Sequence, residues 1–145
     1  MNTKLDAVIK MMLVYAKGEV IRLNHNLIGP AHLMLVILKM HSCNAMTIMA
    51  QIARPDDIKN IHLEIERQMG TGPAERIAGP IITSPGVEKV IQHAEREVEA
   101  LGDSELGTQH LLLALLAIPG VVSNVLGRYG LYTDLLKGQM KRLEI

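Results

Sequence analysis

An internal repeat constrains the fold of this chain more than any other feature of its sequence. The segment LIGPAHLMLVIL at residues 27–38 returns near the end of the chain as ELGTQHLLLALL at residues 105–116. At an offset of 78 residues, segments 16–38 and 94–116 align without a gap and share nine identical residues out of 23. The period is too long for the common solenoid units, so each copy predicts a small bundle. Each copy alone is too small to bury a stable core, so the two are expected to pack into one pseudo-symmetric domain.

The first copy predicts four helices. Apolar residues recur at helical spacing from Val8 to Leu23, and Pro30 after Gly29 is typical of a first helical residue. The second of these helices is apolar on nearly every side, which predicts that it is the buried centre of its copy. The four predicted helices span residues 3–23, 30–40, 43–53 and 55–69.

The second copy predicts the same order of helices. Ser84 is expected to cap a helix that begins at Pro85 and ends near residue 101, and Thr108 to cap the buried helix 109–117. A third helix is expected at 121–129, and Thr133 is expected to cap a fourth at 134–144. No period-2 alternation occurs, so no strand is expected. The predicted fold class is all-α, with two pseudo-symmetric four-helix repeats.

The predicted organisation is a single domain over residues 1–145. Repeat one covers residues 1–69 and repeat two covers residues 83–145. Between them, the sequence GTGPAERIAGPII at residues 70–82 is rich in glycine and proline, which is typical of a linker or loop.

Composition excludes several classes of partner. The chain has 15 basic and 15 acidic residues and a pI near 7.0, so neither a nucleic-acid-binding surface nor a polybasic membrane patch is indicated. The apolar run between Lys10 and Lys17 is too short to cross a membrane. The single cysteine, Cys43, excludes an intrachain disulfide. These features favour a cytoplasmic protein.

The chain has no Phe or Trp but nine Met. Methionine suits adaptable binding surfaces and also fills aliphatic cores. For most members of the N-terminal cluster the core interpretation is preferred: Met11, Met12, Met34, Met40, Met46 and Met49.

Two histidines, His32 and His110, occupy the same position in both copies. One interpretation makes them a paired acid–base or metal site. The preferred one is structural, because each begins a buried helix, where its ring nitrogens are expected to bond nearby backbone groups. Cys43 is a second candidate nucleophile, but it stands in no catalytic motif. The sequence contains no phosphate-binding loop and no ligand spacing typical of a metal, so no cofactor and no metal are expected.

The repeated segments LNHNLIGPAHLMLVIL and LGDSELGTQHLLLALL resemble the Clp N-terminal repeat, whose pattern is close to L-G-H-x-x-I-G-T-E-H-L-L-L-G-L-L. Residues 84–102, SPGVEKVIQHAEREVEALG, are similar to the segment before the second copy in the ClpC type. The resemblance implies an all-helical double repeat with no ATPase or peptidase site of its own. It also implies a place on the ATPase ring of a Clp unfoldase, where the domain receives adaptor proteins and unfolded or tagged protein substrates.

The resemblance also implies where an arginine-phosphate group could bind. In ClpC-type domains that pocket uses a hydroxyl at a helix start and the Glu of G-T-E-H. Asp6 and Ser84 stand at the hydroxyl position, and Ala31 and Gln109 at the Glu position. Because neither copy has the acid that would pair with a guanidinium, we expect weak or absent binding.

Three functions are consistent with the sequence. The first is a substrate- and adaptor-docking module of a Clp-type ATPase. The second is a free-standing Clp-repeat protein that binds adaptors or substrates without an attached ATPase. The third is a small helical enzyme that uses His32 with His110, or Cys43. An exposed groove without converging polar groups would favour docking, and a cleft holding both histidines would favour the enzyme.

Overall fold

The structure is a computed structural model that describes residues 3–73 and 79–145, and within this part of the chain eight helices account for nearly all regular structure. The helices of repeat one are α1 (Thr3–Arg22), α2 (Pro30–Lys39), α3 (Asn44–Met49) and α4 (Pro55–Met69). Those of repeat two are α5 (Pro85–Ala100), α6 (Thr108–Ala117), α7 (Val121–Arg128) and α8 (Thr133–Leu143). The predicted fold class is therefore confirmed.

Helices α2 and α6 are the centres of their repeats, as predicted. Residues 32–38 of α2 and 108–115 of α6 are all buried. Each helix follows a glycine in extended conformation, and Pro30 is the first residue of α2. Proline suits this position because its fixed φ is helical and its missing N–H would have no partner there.

Two predicted caps were wrong. The residue that caps α6 is Gly107, and Thr108 is already helical. Likewise Tyr132 precedes α8, and Thr133 is its first residue. The prediction at Thr108 failed because its hydroxyl has a tertiary partner: Oγ1 accepts a hydrogen bond at 3.0 Å from the backbone N–H of Ala45, in the other repeat.

Helices α1 and α5 end in the same turn. Asn24 and Gly102 occupy equivalent positions and have φ of 58° and 72°, the left-handed conformation that favours Gly and tolerates Asn. The next residues, His25 and Asp103, each donate a backbone N–H at 2.9 Å to a carbonyl five residues back, in a Schellman-type closure. This turn sets the backbone positions from which the side chains of His25 and Asp103 extend.

Several contacts between the repeats are exchanged by the 78-residue offset. Helix α2 contacts α7, and its counterpart α6 contacts α3, the counterpart of α7. The contact of α4 with α7 is matched by that of α8 with α3, and α2 and α6 contact each other. This exchange is the signature of a pseudo-two-fold axis through one shared core.

Two local expectations differ from the structure. Leu27–Ile28 (β1) and Ile82–Thr83 (β2) form a parallel two-residue ladder, so the expectation of no strand was wrong at these four residues. The ladder joins the last predicted linker position to repeat one, while linker residues 74–78 lie outside the described part of the chain. Helix α3 is also shorter than predicted, because the N–H groups of Gln51 and Ile52 bond carbonyls three residues back and tighten the chain into turns.

Candidate docking site

An apolar groove lies open to solvent between α1 and α2 of repeat one. Its cavity has a volume of about 370 Å³, and four of its lining side chains are apolar: Met11, Tyr15, Val36 and Met40. Tyr15 is 58% exposed and Met11 36% exposed, although both belong to a helix whose opposite face is core. A contiguous exposed apolar surface of this kind is typical of an interaction site.

The polar wall of the groove is an ion pair between Glu19 and Lys39. Glu19 is 5% exposed, and it also accepts a hydrogen bond at 2.7 Å from Nε of Arg22. Burial raises the pKa of Glu19, but the hydrogen bonds from Lys39 and Arg22 outweigh it and hold the pKa below its usual value. Glu19 is therefore a charged group that already has ion-pair partners. It lines one side of the groove and is not a free acid.

The two equivalent histidines make the expected contact with the backbone. The N–H of Gly29 donates to Nδ1 of His32 at 2.9 Å, and the N–H of Gly107 donates to Nδ1 of His110 at 2.8 Å. His32 is 6% exposed and His110 is fully buried. Each ring thus satisfies a backbone donor at the start of a buried helix, and in the neutral ring the proton is on Nε2.

The second ring nitrogen has a different partner in each repeat, which the sequence reasoning missed. Nε2 of His32 lies 2.8 Å from Nδ1 of His25, whose Nε2 lies 2.9 Å from the carbonyl oxygen of Gly70. Because a carbonyl only accepts, His25 donates from Nε2 and accepts the His32 proton at Nδ1. In repeat two, Nε2 of His110 lies 2.7 Å from Oδ2 of Asp103. The available signal was that His25 and Asp103 are also 78 residues apart.

The different partners change the electrostatics of His32. Its pKa is lowered to about 4, chiefly because burial disfavours the charged ring and secondly because His25 lies beside it. His32 is therefore a neutral structural group near pH 7. The contacts of His32 and His110 are each made within their own repeat. Each histidine links the start of its buried helix to the turn before that helix, so these contacts do not place the two rings in one cleft.

The four residues predicted for arginine phosphate lie in both repeats. Asp6 falls within α1, but its side chain lies outside the described residues. Ser84 is at the start of α5, and its N–H donates at 2.8 Å to the carbonyl of Ile28 in repeat one. The side-chain oxygen of Gln109 accepts a hydrogen bond at 3.3 Å from Nδ2 of Asn44, at the start of α3 in repeat one.

Ala31, the fourth of these residues, lines a separate cavity of about 250 Å³ together with Pro30 and the segment 118–122 of repeat two. The contacts of Ser84 and Ala31 therefore cross between the copies. Ser84 lies beside the start of α2, and its side chain makes no cap hydrogen bond.

The remaining candidates from the sequence are the methionines and Cys43. Met12, Met34 and Met49 are core residues, whereas Met11 and Met40 line the groove. The thiol of Cys43 lies 3.9 Å from the backbone carbonyl of Ile37, before the short helix α3.

The described residues include no group of three or more His, Cys, Asp or Glu placed to hold a metal ion. Across the same residues, no single helix is long and apolar enough to cross a membrane; α6 and α7 meet that test only as a pair bent by 96°.

Comparison with known proteins identifies the repeat. Residues 4–129 match the family model of the Clp repeat (R) N-terminal domain. The chain is 33% identical over 107 residues to a probable ATP-dependent Clp protease ATP-binding subunit of Chlamydia pneumoniae, covering 74% of this chain and 12% of that protein. It is 29% identical over 133 residues to the negative regulator of genetic competence ClpC/MecB of Bacillus subtilis, covering 91% of this chain and 16% of that protein. The chain thus spans a small part of the length of these relatives.

Solved structures show the same fold. The N-terminal domain of Hsp104 from Candida albicans superposes with a TM-score of 0.72 at 18% identity, covering 92% of this chain and 86% of that one. The N-terminal domain of the ClpV1 ATPase from E. coli gives a TM-score of 0.70 at 20% identity, covering 92% and 80%.

Proposed function

Because the chain belongs to the Clp repeat N-terminal domain family, we propose that it is a docking module that receives adaptor proteins and unfolded or tagged substrates for a Clp-type ATPase. Its relatives are named as ATP-binding subunits of Clp protease and as the regulator ClpC/MecB. The proposal places the ATPase in the remainder of such a protein and leaves binding to this domain. It also places the domain in the cytoplasm and gives it neither nucleic acid nor membrane as a partner.

The observation that carries this proposal is the apolar groove between α1 and α2. Its cavity, about 370 Å³ in volume, is present in the domain without a bound partner. Tyr15 supplies an aromatic ring of the kind enriched at binding hot spots, and Met11 supplies a pliable thioether that suits adaptable binding surfaces. The ion pair of Glu19 with Lys39 gives the wall of the groove a polar edge without a free reactive group.

We further propose that the chain performs no catalysis itself. Support comes from the residues that would carry it. His32 and His110 accept helix-start N–H groups, and their other nitrogens are engaged by His25 and Asp103. The Cys43 thiol faces a backbone carbonyl, which cannot act as a base for it.

Binding of an unfolded protein tests the docking role. Reduced, carboxymethylated α-lactalbumin carrying a fluorophore would be titrated with the chain and followed by fluorescence anisotropy. The variant Tyr15→Glu places a charge in the groove and is expected to weaken binding about tenfold. Tyr132→Glu is the matched control, because Tyr132 is 57% exposed, nearly the same as Tyr15 at 58%, but does not line the groove.

Two results would contradict the proposal. Equal weakening by both substitutions would mean that binding follows total surface hydrophobicity and not the groove. Saturating concentrations of the chain that give no anisotropy change would remove the docking role for unfolded substrates. Circular dichroism of both variants checks that each remains helical.

A further inference from the structure

The outer face of α1 is apolar and largely exposed in the described part of the chain. Four of its side chains are well exposed, and the fifth position is a glycine with open space around it: Met11, Val14, Tyr15, Gly18 and Ile21. Val14 is 65% exposed and Ile21 is 59% exposed, more than most apolar side chains of a folded domain. These five positions are called the α1 outer face below. Their spacing of three and four residues places them on one side of the helix.

The second repeat supplies an internal control for this face. At the offset of 78 residues, the five positions of the α1 outer face correspond to polar or charged residues of α5: Lys89, Gln92, His93, Arg96 and Glu99. The two helices have the same place in equivalent repeats, and both bury their opposite face. The fold therefore accepts polar side chains here, and the apolar residues of α1 serve something other than the fold.

The shape of the face suits a helix. Ten residues separate Met11 from Ile21, which is about 15 Å at the helical rise of 1.5 Å per residue. Gly18 lies between Tyr15 and Ile21, and a Cβ there would meet no atom within 4 Å, so a partner backbone can approach closely. At the Met11 end the face turns into the groove, which accepts a protruding side chain. Helix-in-groove recognition uses this combination of a stripe and an anchor pocket.

The charges beside the face define the partner further. Between residues 7 and 22, the exposed charged residues of α1 are all basic: Lys10, Lys17 and Arg22. The only acid there, Glu19, is buried in ion pairs. Lys10 and Lys17 are seven residues apart, which is two turns, so both lie along one edge of the α1 outer face.

These charges distinguish between the possible binding partners of the α1 outer face. A second copy of the chain docked antiparallel on this face would bring lysines against lysines, and like charges across an interface oppose association. A flat anionic membrane would not fill the concave groove beside Met11 and Tyr15. We infer that the α1 outer face binds an amphipathic helix of another protein, whose apolar stripe is edged by two acidic residues about two turns apart. This inference rests on the proposed docking function and names the chemistry of its partner.

Synthetic helices test the inference directly. Two fluorescent 18-residue peptides share one apolar stripe, and along one edge they carry Glu or Lys at two positions seven residues apart. We expect the Glu peptide to bind about tenfold more tightly than the Lys peptide at low salt, and this preference to shrink at high salt. In the double variant Lys10→Glu/Lys17→Glu the preference should reverse. A reversal cannot come from a misfolded protein, since misfolding weakens both peptides.

Ile21→Glu copies the residue found at the equivalent position of α5 and should weaken both peptides. Tyr132→Glu, on another surface, should weaken neither. Equal affinity for the two peptides, or a preference that the double variant does not reverse, overturns the inference. So does binding to phosphatidylserine vesicles without peptide binding, or a concentration-dependent dimer in analytical ultracentrifugation.

The unfolded-protein titration, run beside these measurements, separates the two proposals. Unfolded protein that binds while neither peptide does leaves the docking role standing and removes the helical acidic partner. Failure of both measurements removes both.

Discussion

Acidification should destabilise the domain through His32. His32 is 6% exposed; its Nδ1 accepts the N–H of Gly29 and its Nε2 donates to His25. Protonation at Nδ1 would therefore break the hydrogen bond from Gly29 in the folded state. The pKa of His32 is about 4 in the folded protein, against about 6.5 for an unfolded chain. Between these two values the unfolded state binds a proton that the folded state does not, so the free energy of unfolding falls as the pH falls.

The size of the effect follows from the two pKa values. At pH 7.5 the His32 contribution is fully present, and at pH 5 about 2 kcal/mol of it is lost. For a domain of this size, that loss corresponds to a fall of roughly 4–8 °C in Tm. Urea unfolding at both pH values, followed by circular dichroism, measures the difference.

The comparison that isolates His32 uses His32→Asn, which keeps an acceptor oxygen near the Gly29 N–H but does not titrate. The fall in stability between pH 7.5 and 5 should be smaller in this variant by about 2 kcal/mol. His25→Asp copies Asp103 of the other repeat and should also flatten the pH dependence, since a carboxylate stabilises protonated His32. A pH dependence in His32→Asn that equals the wild type would refute the reasoning.

Three further outcomes are expected. Thr108→Val should destabilise the domain by about 1–3 kcal/mol, because it leaves the N–H of Ala45 without its acceptor; an unchanged urea midpoint would contradict this. Leu35→Ala in the centre of α2 should lose about 2–5 kcal/mol, whereas Leu63→Ala, at a side chain 57% exposed, should stay within about 0.5 kcal/mol. Calorimetric titration with free phosphoarginine should show weak or no binding, and Gln109→Glu should strengthen it; tight wild-type binding would mean that the pocket lies elsewhere.

Much of the fold could be predicted from the repeat, because it fixed the order of the helices and helical periodicity fixed their approximate bounds. Pro30 and Pro85 are first helical residues, as their chemistry predicts. The errors lie where a local signal had a tertiary competitor. Thr108 resembles a cap but bonds Ala45 across the repeat. The β1–β2 ladder has two residues per strand, too few for any alternation.

The candidate site was less predictable, for a geometric reason. The sequence shows that α1 is apolar on most sides, but only the packing of α2 against it decides which residues remain exposed. Met11 and Met12 are adjacent, and one lines the groove while the other is core. The role of His25 could not be predicted, because it depends on where the turn after α1 places His25 beside His32.

The exchange of contacts between the repeats has a consequence for evolution. A single-repeat ancestor with these contacts would have formed a homodimer, in which every substitution appears twice. Once both copies lie in one chain, each can change alone. Thr108 supplies a hydroxyl to Ala45, and its counterpart Pro30 has none to give. In the same way, α1 has an apolar exterior and α5 a polar one. If the α1 outer face binds a partner as proposed, two such faces would make each chain divalent and able to cross-link its partners into networks, whereas one face makes it monovalent.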